Sequence, residues 1–289
     1  MRYTRMLLTA SLLLLLTACS TQIGYRFADT LVEWELEEFV ELSADEAQQV
    51  DHAITELHYW HATQELPFYA EQLQRLRDKI ADQTLTENDI AAAYNTAFMA
   101  WQRMLLAIEP HALALLPALS DAQVQQIEKE LGKRLAEERE ELREFTTAEA
   151  RQKHLRKRAR DRARAWLQRP TSLQDRLLNE WSEQRLPTRE LWLAYTEAWQ
   201  ATFIEVLQNR NSENEFPDQL KQLMFQSDTL YSPTLAERIE HNRDHTISLF
   251  YKLYQSLTPK QRQRIVNKLD DYITDFNELA VLFAERGPE

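Results

Sequence analysis

His241 and His245 stand four residues apart in a stretch with helical periodicity, so both rings would leave one helix face at the separation that two metal ligands need. In a zinc hydrolase of that pattern a glutamate follows the first histidine and acts as general base. Asn242 occupies the position here, which leaves two ligands and no base. His58, His61 and Glu65 offer a second shared face, spaced by three and four. Either set requires a further ligand from elsewhere in the chain, and a histidine on a polar helix face more commonly hydrogen-bonds or meets water. Nucleophilic chemistry has less to work with. No Gly-x-Ser-x-Gly elbow is present, and Walker and dinucleotide loops are absent from a chain with only Gly24, Gly132 and Gly287. No cofactor and no catalytic residue is assigned, His241 and His245 stay as the metal candidates, and binding rather than catalysis is expected.

The run RQKHLRKRARDRARAWLQR, 151–169, offers a different chemistry. Leu155, Ala159, Ala163 and Trp166 recur at four, four and three, a narrow packing stripe that leaves a wide cationic face. Lys153, Arg156, Lys157, Arg158, Arg160, Arg162 and Arg164 are the candidate contacts for an anionic partner: lipopolysaccharide phosphates, phospholipid headgroups or an acidic client protein. The plainer alternative is a solvated helix whose charges pair along its own surface or with acidic neighbours. Glu137, Glu138, Glu140, Glu141 and Glu144 lie upstream, an order of acids then bases that suits the dipole of one continuous helix.

Where this surface operates is set by the leader. Arg2 and Arg5 precede an apolar run from Leu7 to Leu16, of export length and too short to span a bilayer. Leu16-Thr17-Ala18-Cys19 is similar to a bacterial lipobox, which implies cleavage after residue 18, lipidation of Cys19 and, with Ser20 following, attachment to the outer membrane facing the periplasm. As the sole cysteine, Cys19 has no partner for a disulfide. The formal charge is −12 from 34 basic and 46 acidic residues, and loss of Arg2 and Arg5 takes it to −14, so nucleic acid is not an expected partner.

Three glycines cannot supply the turns of a many-stranded protein, and the prolines fall mainly between periodic segments. The chain is therefore expected to be all-α, with about nine or ten helices in an elongated multi-helix bundle around one long central helix. The pattern places them at 25–41, 44–64, 67–83, 87–110, 121–168, 173–185, 188–209, 217–226, 233–256 and 259–285. Residues 1–18 read as signal, 19–24 as a short tether of roughly 15 to 20 Å, and 25–289 as the body, a layout that allows two sub-bundles joined by the helix near 121–168. Glu33, Glu35, Glu37, Glu38 and Glu41 would disfavour laying the first helix on anionic headgroups.

LSADEAQQV (42–50), LSDAQVQQI (119–127) and LTPKQRQRI (257–265) recur with a hydroxyl residue three before Glu46, Gln123 and Gln261, the spacing of a capping box. Thr171 with Gln174, and Ser212 with Glu215, repeat it, and Leu119 with Val124 adds a hydrophobic staple. Leu-Thr-x-x-Gln also resembles the helix starts of Spy and CpxP-type periplasmic chaperones, matched in full by Leu257-Thr258-Pro259-Lys260-Gln261. A longer resemblance runs through Leu31, Trp34 and Phe39, Trp60-His61, Glu65-Leu66-Pro67 and Tyr69, Arg164, Trp166-Leu167, Thr171, Gln174, Leu257-Thr258 and Gln261-Arg262. Together these resemble a family of proteobacterial, all-helical lipoproteins with no assigned activity. The aromatic stripes Trp192, Tyr195, Trp199 and Phe250, Leu253, Tyr254, Leu257 are expected to pack between helices. The combined expectation is a lipid-anchored periplasmic binding protein with an envelope-interaction or chaperone-like role. The alternatives are a structural envelope factor binding lipopolysaccharide or peptidoglycan, and a metal-dependent hydrolase.

Overall fold

Helix starts organise this chain. Ser43, Thr86, Thr171 and Thr258 each accept a hydrogen bond from the backbone N–H three residues on, and the side chain at that third position reaches back to the cap's own N–H. Ser120 and Gln123 exchange the same pair of bonds, at 3.3 and 2.7 Å. Each box satisfies two of the donors that a helix N-terminus leaves open. Thr86 escapes the sequence pattern because its partner is Asp89 in place of Glu or Gln.

The computed structural model describes residues 18–144 and 147–288, with side chains from Gln22 onward except at Glu144. Its helices are α1 (Ala18–Arg26), α2 (Ala28–Glu37), α3 (Ala44–Trp60), α4 (Leu66–Ala81), α5 (Glu87–Leu115), α6 (Asp121–Glu144), α7 (Ala148–Leu167), α8 (Ser172–Gln184), α9 (Arg189–Gln208), α10 (Phe216–Phe225), α11 (Pro233–Gln255) and α12 (Pro259–Arg286). A π-helical turn, His61–Glu65, joins α3 to α4 without a break, so the twelve segments make eleven helices. No strand occurs among the described residues. The all-α bundle expected from glycine scarcity is what the chain forms.

Several boundaries differ from the sequence reading. Pro67 does not separate two helices. The Leu66 N–H bonds to the His61 carbonyl five residues back, and the extra residue in that turn accommodates a ring that would otherwise press on the carbonyl four before it. Pro110 likewise lies inside α5. The single helix expected over 121–168 is two: Thr147 is an extended N-cap (φ −113°, ψ 152°) that accepts from Ala150 N–H and starts α7 afresh. The acids of α6 and the bases of α7 thus belong to separate helices. Residues 19–24, expected to be an extended tether, lie within helical α1. Ser212 caps nothing, since α10 begins after Glu215 and has no side-chain cap.

Packing is distributed over several apolar clusters. α12 runs along α4, burying Ala62, Leu66 and Leu279 with Tyr25 at one end and Ile80, Leu85, Val266 and Leu269 at the other. α6 and α9 bury Val124, Ile127, Ile204 and Leu207, with Leu119 against Val124 as the staple requires. α9 and α10 close Val206, Phe216, Leu220 and Leu223 against α5. Trp166 of α7 packs into the Ile80 cluster, the role its stripe foretold.

Candidate functional site

The outer face of α7 carries a dense run of basic side chains. Its narrow stripe is inward, with Leu155, Ala159, Ala163 and Trp166 partly covered and Leu167 buried. Of the seven candidate bases, Arg160 meets Asp175 of α8 at 3.1 Å and Arg164 meets Asp161 at 3.6 Å. Lys153, Arg156, Lys157, Arg158 and Arg162 form no ion pair with a described residue. Arg151 is tied to Glu190 at the start of α9, which brings the segment 185–190 alongside α7. Arg185 and Arg189 therefore stand beside the basic face, Arg189 with Glu141 of α6 at 3.4 Å, a proximity invisible in the sequence because they lie beyond α8.

The electrostatics record the crowding. Partial burial, with Arg162 and Arg189 nearby, pulls the Arg158 guanidinium below its ordinary value. Burial and Arg162 do the same to Arg185, which lies over the Trp181 ring at 5.3 Å. His154 is lowered by burial and then by Arg158, Arg189 and Lys157. Cations held this close repel one another and favour an anion that would sit between them.

A second polar assembly lies under α1, where the sequence placed His58, His61 and Glu65 on one face. The Tyr25 hydroxyl and His61 Nδ1 share a hydrogen bond at 2.8 Å. His58 Nδ1 is 3.4 Å from Asp29 Oδ2, while its Nε2 is buried with no hydrogen-bond partner among the described residues. Glu65, buried in the π-helical turn, accepts from Arg103 Nη2 at 2.8 Å and Nε at 3.2 Å. Tyr69 shares the Glu65 carboxylate, and burial first, then that carboxylate, push its phenol up. Phe276 and Phe283 of α12 close the aromatic side. These groups clamp α1 to α4 and α12. They do not form a metal site: among the described residues no three His, Cys, Asp or Glu side chains come together to hold an ion.

His241 and His245 do meet, ring centroids 4.2 Å apart, as their spacing required. His241 Nε2 lies 3.3 Å from the Gln184 carbonyl, and Asn242, standing where a zinc hydrolase has its base, is buried with its amide bonded to Leu186 N–H and C=O at 2.9 Å each. The residue that breaks the catalytic pattern thus fixes the turn after α8.

The repeated capping boxes prove to be more than independent starts, because they interlock in pairs. Gln174 and Gln261, third in the boxes of α8 and α12, donate to each other's side-chain oxygen at 2.9 Å. Gln174 Nε2 also donates to Ser256 C=O at 3.2 Å and Gln261 Nε2 to Arg169 C=O at 3.0 Å, each carbonyl two residues before the opposite cap. Gln123 repeats the arrangement with the box of α3, donating to Glu46 Oε2 at 2.9 Å and Glu41 C=O at 3.1 Å.

Aromatic stripes divide three ways. Trp199 stacks on Phe203 at 5.2 Å within the α9–α10 packing. Trp192 and Tyr195 pack edge-on with Tyr231, at 5.5 and 5.0 Å, and all three are half-buried. Phe250, expected to pack between helices, faces outward at 53% exposure. One apolar exposure was not singled out from sequence: α5 turns Tyr94, Phe98, Met99, Trp101 and Leu106 to solvent. No single helix among the described residues is long and apolar enough to cross a membrane.

The fold and these surfaces define an all-helical protein that offers charged and aromatic faces. The chain belongs to the family of unknown function DUF6279, whose model matches residues 38–235. No curated protein and no solved structure matches it.

Proposed function

We propose that this is a lipid-anchored periplasmic binding protein that engages an anionic component of the cell envelope. The observation that carries the reading is the α7 face, where Lys153, Arg156, Lys157, Arg158 and Arg162 lack carboxylate partners among the described residues in a chain of net charge −12. An acidic protein that gathers unneutralised guanidinia on one face holds a localised positive potential, suited to phosphate-bearing or carboxylate-rich partners. The lipobox at Leu16–Cys19 supports attachment through Cys19 to the outer membrane, facing the periplasm. The side chain of Cys19 and residues 1–17 lie outside the described residues.

Lys157→Glu, Arg158→Glu and Arg162→Glu together should leave the fold intact, because these side chains are solvent-facing. Binding to purified lipopolysaccharide should weaken at least about tenfold, equivalent to ~1.4 kcal/mol, and wild-type binding should itself weaken with salt. In-cell crosslinking of the lipidated chain should lose its dominant partner in the same variant. Unchanged capture and unchanged affinity would remove α7 as the contact surface.

A chaperone-like role is the second reading. It is favoured by the α5 face of Tyr94, Phe98, Met99, Trp101 and Leu106, an apolar exposure of the kind that holds incompletely folded chains. Similarity of Leu257–Gln261 to Spy and CpxP-type helix starts adds to it. Aggregation suppression that survives the α7 reversal but fails in Phe98→Ser with Trp101→Ser would favour this role.

A further inference from the structure

We propose that the outward face of α1 and α2, centred on Ile23, Phe27, Leu31 and Trp34, lies on the phospholipid surface into which the anchor inserts. The inference rests on the reading of Cys19 as the acylated residue. Ile23, Phe27 and Trp34 are 59, 59 and 61% exposed, and Leu31 and Val32 are open beside them. Ile23, Phe27, Leu31 and Trp34 follow one another at four, four and three residues, the spacing of an apolar stripe. Phe27, at φ −108° and ψ 15°, is the N-cap of α2 and accepts from the Leu31 N–H at 3.1 Å, so the stripe passes from α1 to α2 through a one-residue break. The opposite side is occupied by protein contacts: Gln22 reaches Asp275 and Glu278, Tyr25 is buried on His61, and Asp29 meets His58. The stripe therefore cannot be turned inward without dismantling the clamp under α1.

Continuity with the anchor selects the bilayer as occupant. Cys19 precedes Ile23 by four residues in the same helix, about 6 Å along its axis at 1.5 Å per residue. Acyl chains on Cys19 would enter the membrane one turn from Ile23, and a helix held there presents its apolar side at the headgroup boundary, with Trp34 at the depth tryptophan favours. Two of the five glutamates that argued against such a placement are engaged with a cation. Glu35 and Glu38 pair with Arg134 of α6, the latter at 3.0 Å. Glu33 lies near the Asp51 carboxyl, and burial first, then that neighbour, hold it above the usual carboxylate range. Arg26 remains exposed at the edge of the stripe, where a headgroup phosphate would meet it.

The test uses the full lipidated chain on vesicles of phosphatidylethanolamine and phosphatidylglycerol, with and without brominated acyl chains, comparing wild type with Trp34→Phe. The expected result is a quenched emission component that brominated vesicles produce in wild type and that Trp34→Phe loses. Ile23→Ser with Phe27→Ser should float with the vesicles through its acyl chains yet lose that component. Wild type that floats with no Trp34 quenching overturns the placement while leaving lipidation intact. Self-association in detergent abolished by Trp34→Ser, with no quenching on vesicles, would assign the stripe to a second copy instead. A chain that fails to float overturns the acylation reading together with the placement.

Discussion

Gln261→Ala is expected to lower the unfolding free energy by about 2 to 4 kcal/mol, well beyond the ~1 kcal/mol of an isolated helix cap. Gln261 is buried and bonds in three directions: its oxygen accepts from Thr258 N–H at 3.0 Å, and its amide donates to Arg169 C=O and to Gln174. Truncation opens the box at the start of α12, and it also strips a partner from Gln174, which is completely buried. A buried polar group left unsatisfied loses its desolvation free energy with nothing returned, so the larger part of the effect comes from what remains behind. Gln174→Ala should cost a similar amount, and the double variant less than the sum, with a coupling near 1 kcal/mol or more. Urea denaturation of the four species measures this. A Gln261→Ala loss under about 1 kcal/mol with additive singles would reduce the pair to two ordinary capping boxes.

Acidification should loosen the α1 end of the molecule. His61 is buried, and burial brings its imidazole down from 6.5 to about 4, against which the Glu65 carboxylate pulls upward and His58 pushes further down. Between pH 6.5 and 4 the unfolded chain binds a proton that the folded chain refuses, so stability falls with pH across that window and levels out below it. At about 1.4 kcal/mol per unit the full loss is roughly 3 kcal/mol. His58, lowered chiefly by burial while Asp29 opposes, acts in the same direction. Asp275, whose carboxyl burial raises, acts oppositely. Tyr25 and Tyr69, whose phenols burial pushes up, stay neutral over this range. Protonated His61 would be a buried cation with a donor on both ring nitrogens, one of them 2.8 Å from the Tyr25 hydroxyl, so the contact between α1 and the π-helical turn should be the first to open. His61→Gln keeps an acceptor without a titration and should flatten the slope of melting temperature between pH 6.5 and 4. An equally steep slope in that variant would locate the acid sensitivity elsewhere.

Local rules carried the sequence reading a long way. Three glycines and prolines at segment ends were enough for the all-α architecture, because neither fact depends on what packs where. Four of the boxes expected from Ser or Thr followed by Glu or Gln are present, since a cap and its partner are only three residues apart. The α7 stripe could be read for the same reason: Leu155 to Trp166 obeys one helix period. Errors fell where a local rule had a competitor. Pro67 did not end a helix because a π-helical turn absorbed it, and the acid-then-base order of 121–168 concealed the new start at Thr147. What tertiary structure alone decided was which faces meet. Nothing in LTPKQ or TSLQ says that Gln261 and Gln174 will bond each other 87 positions apart, that Arg185 will stand beside α7, that Asn242 will hold the turn after α8, or that α5 will leave its aromatic side open. Periodicity and capping are fixed by neighbours within about one turn of chain, whereas pairing and exposure depend on how separate helices dock, and that is set by the whole pattern of burial at once.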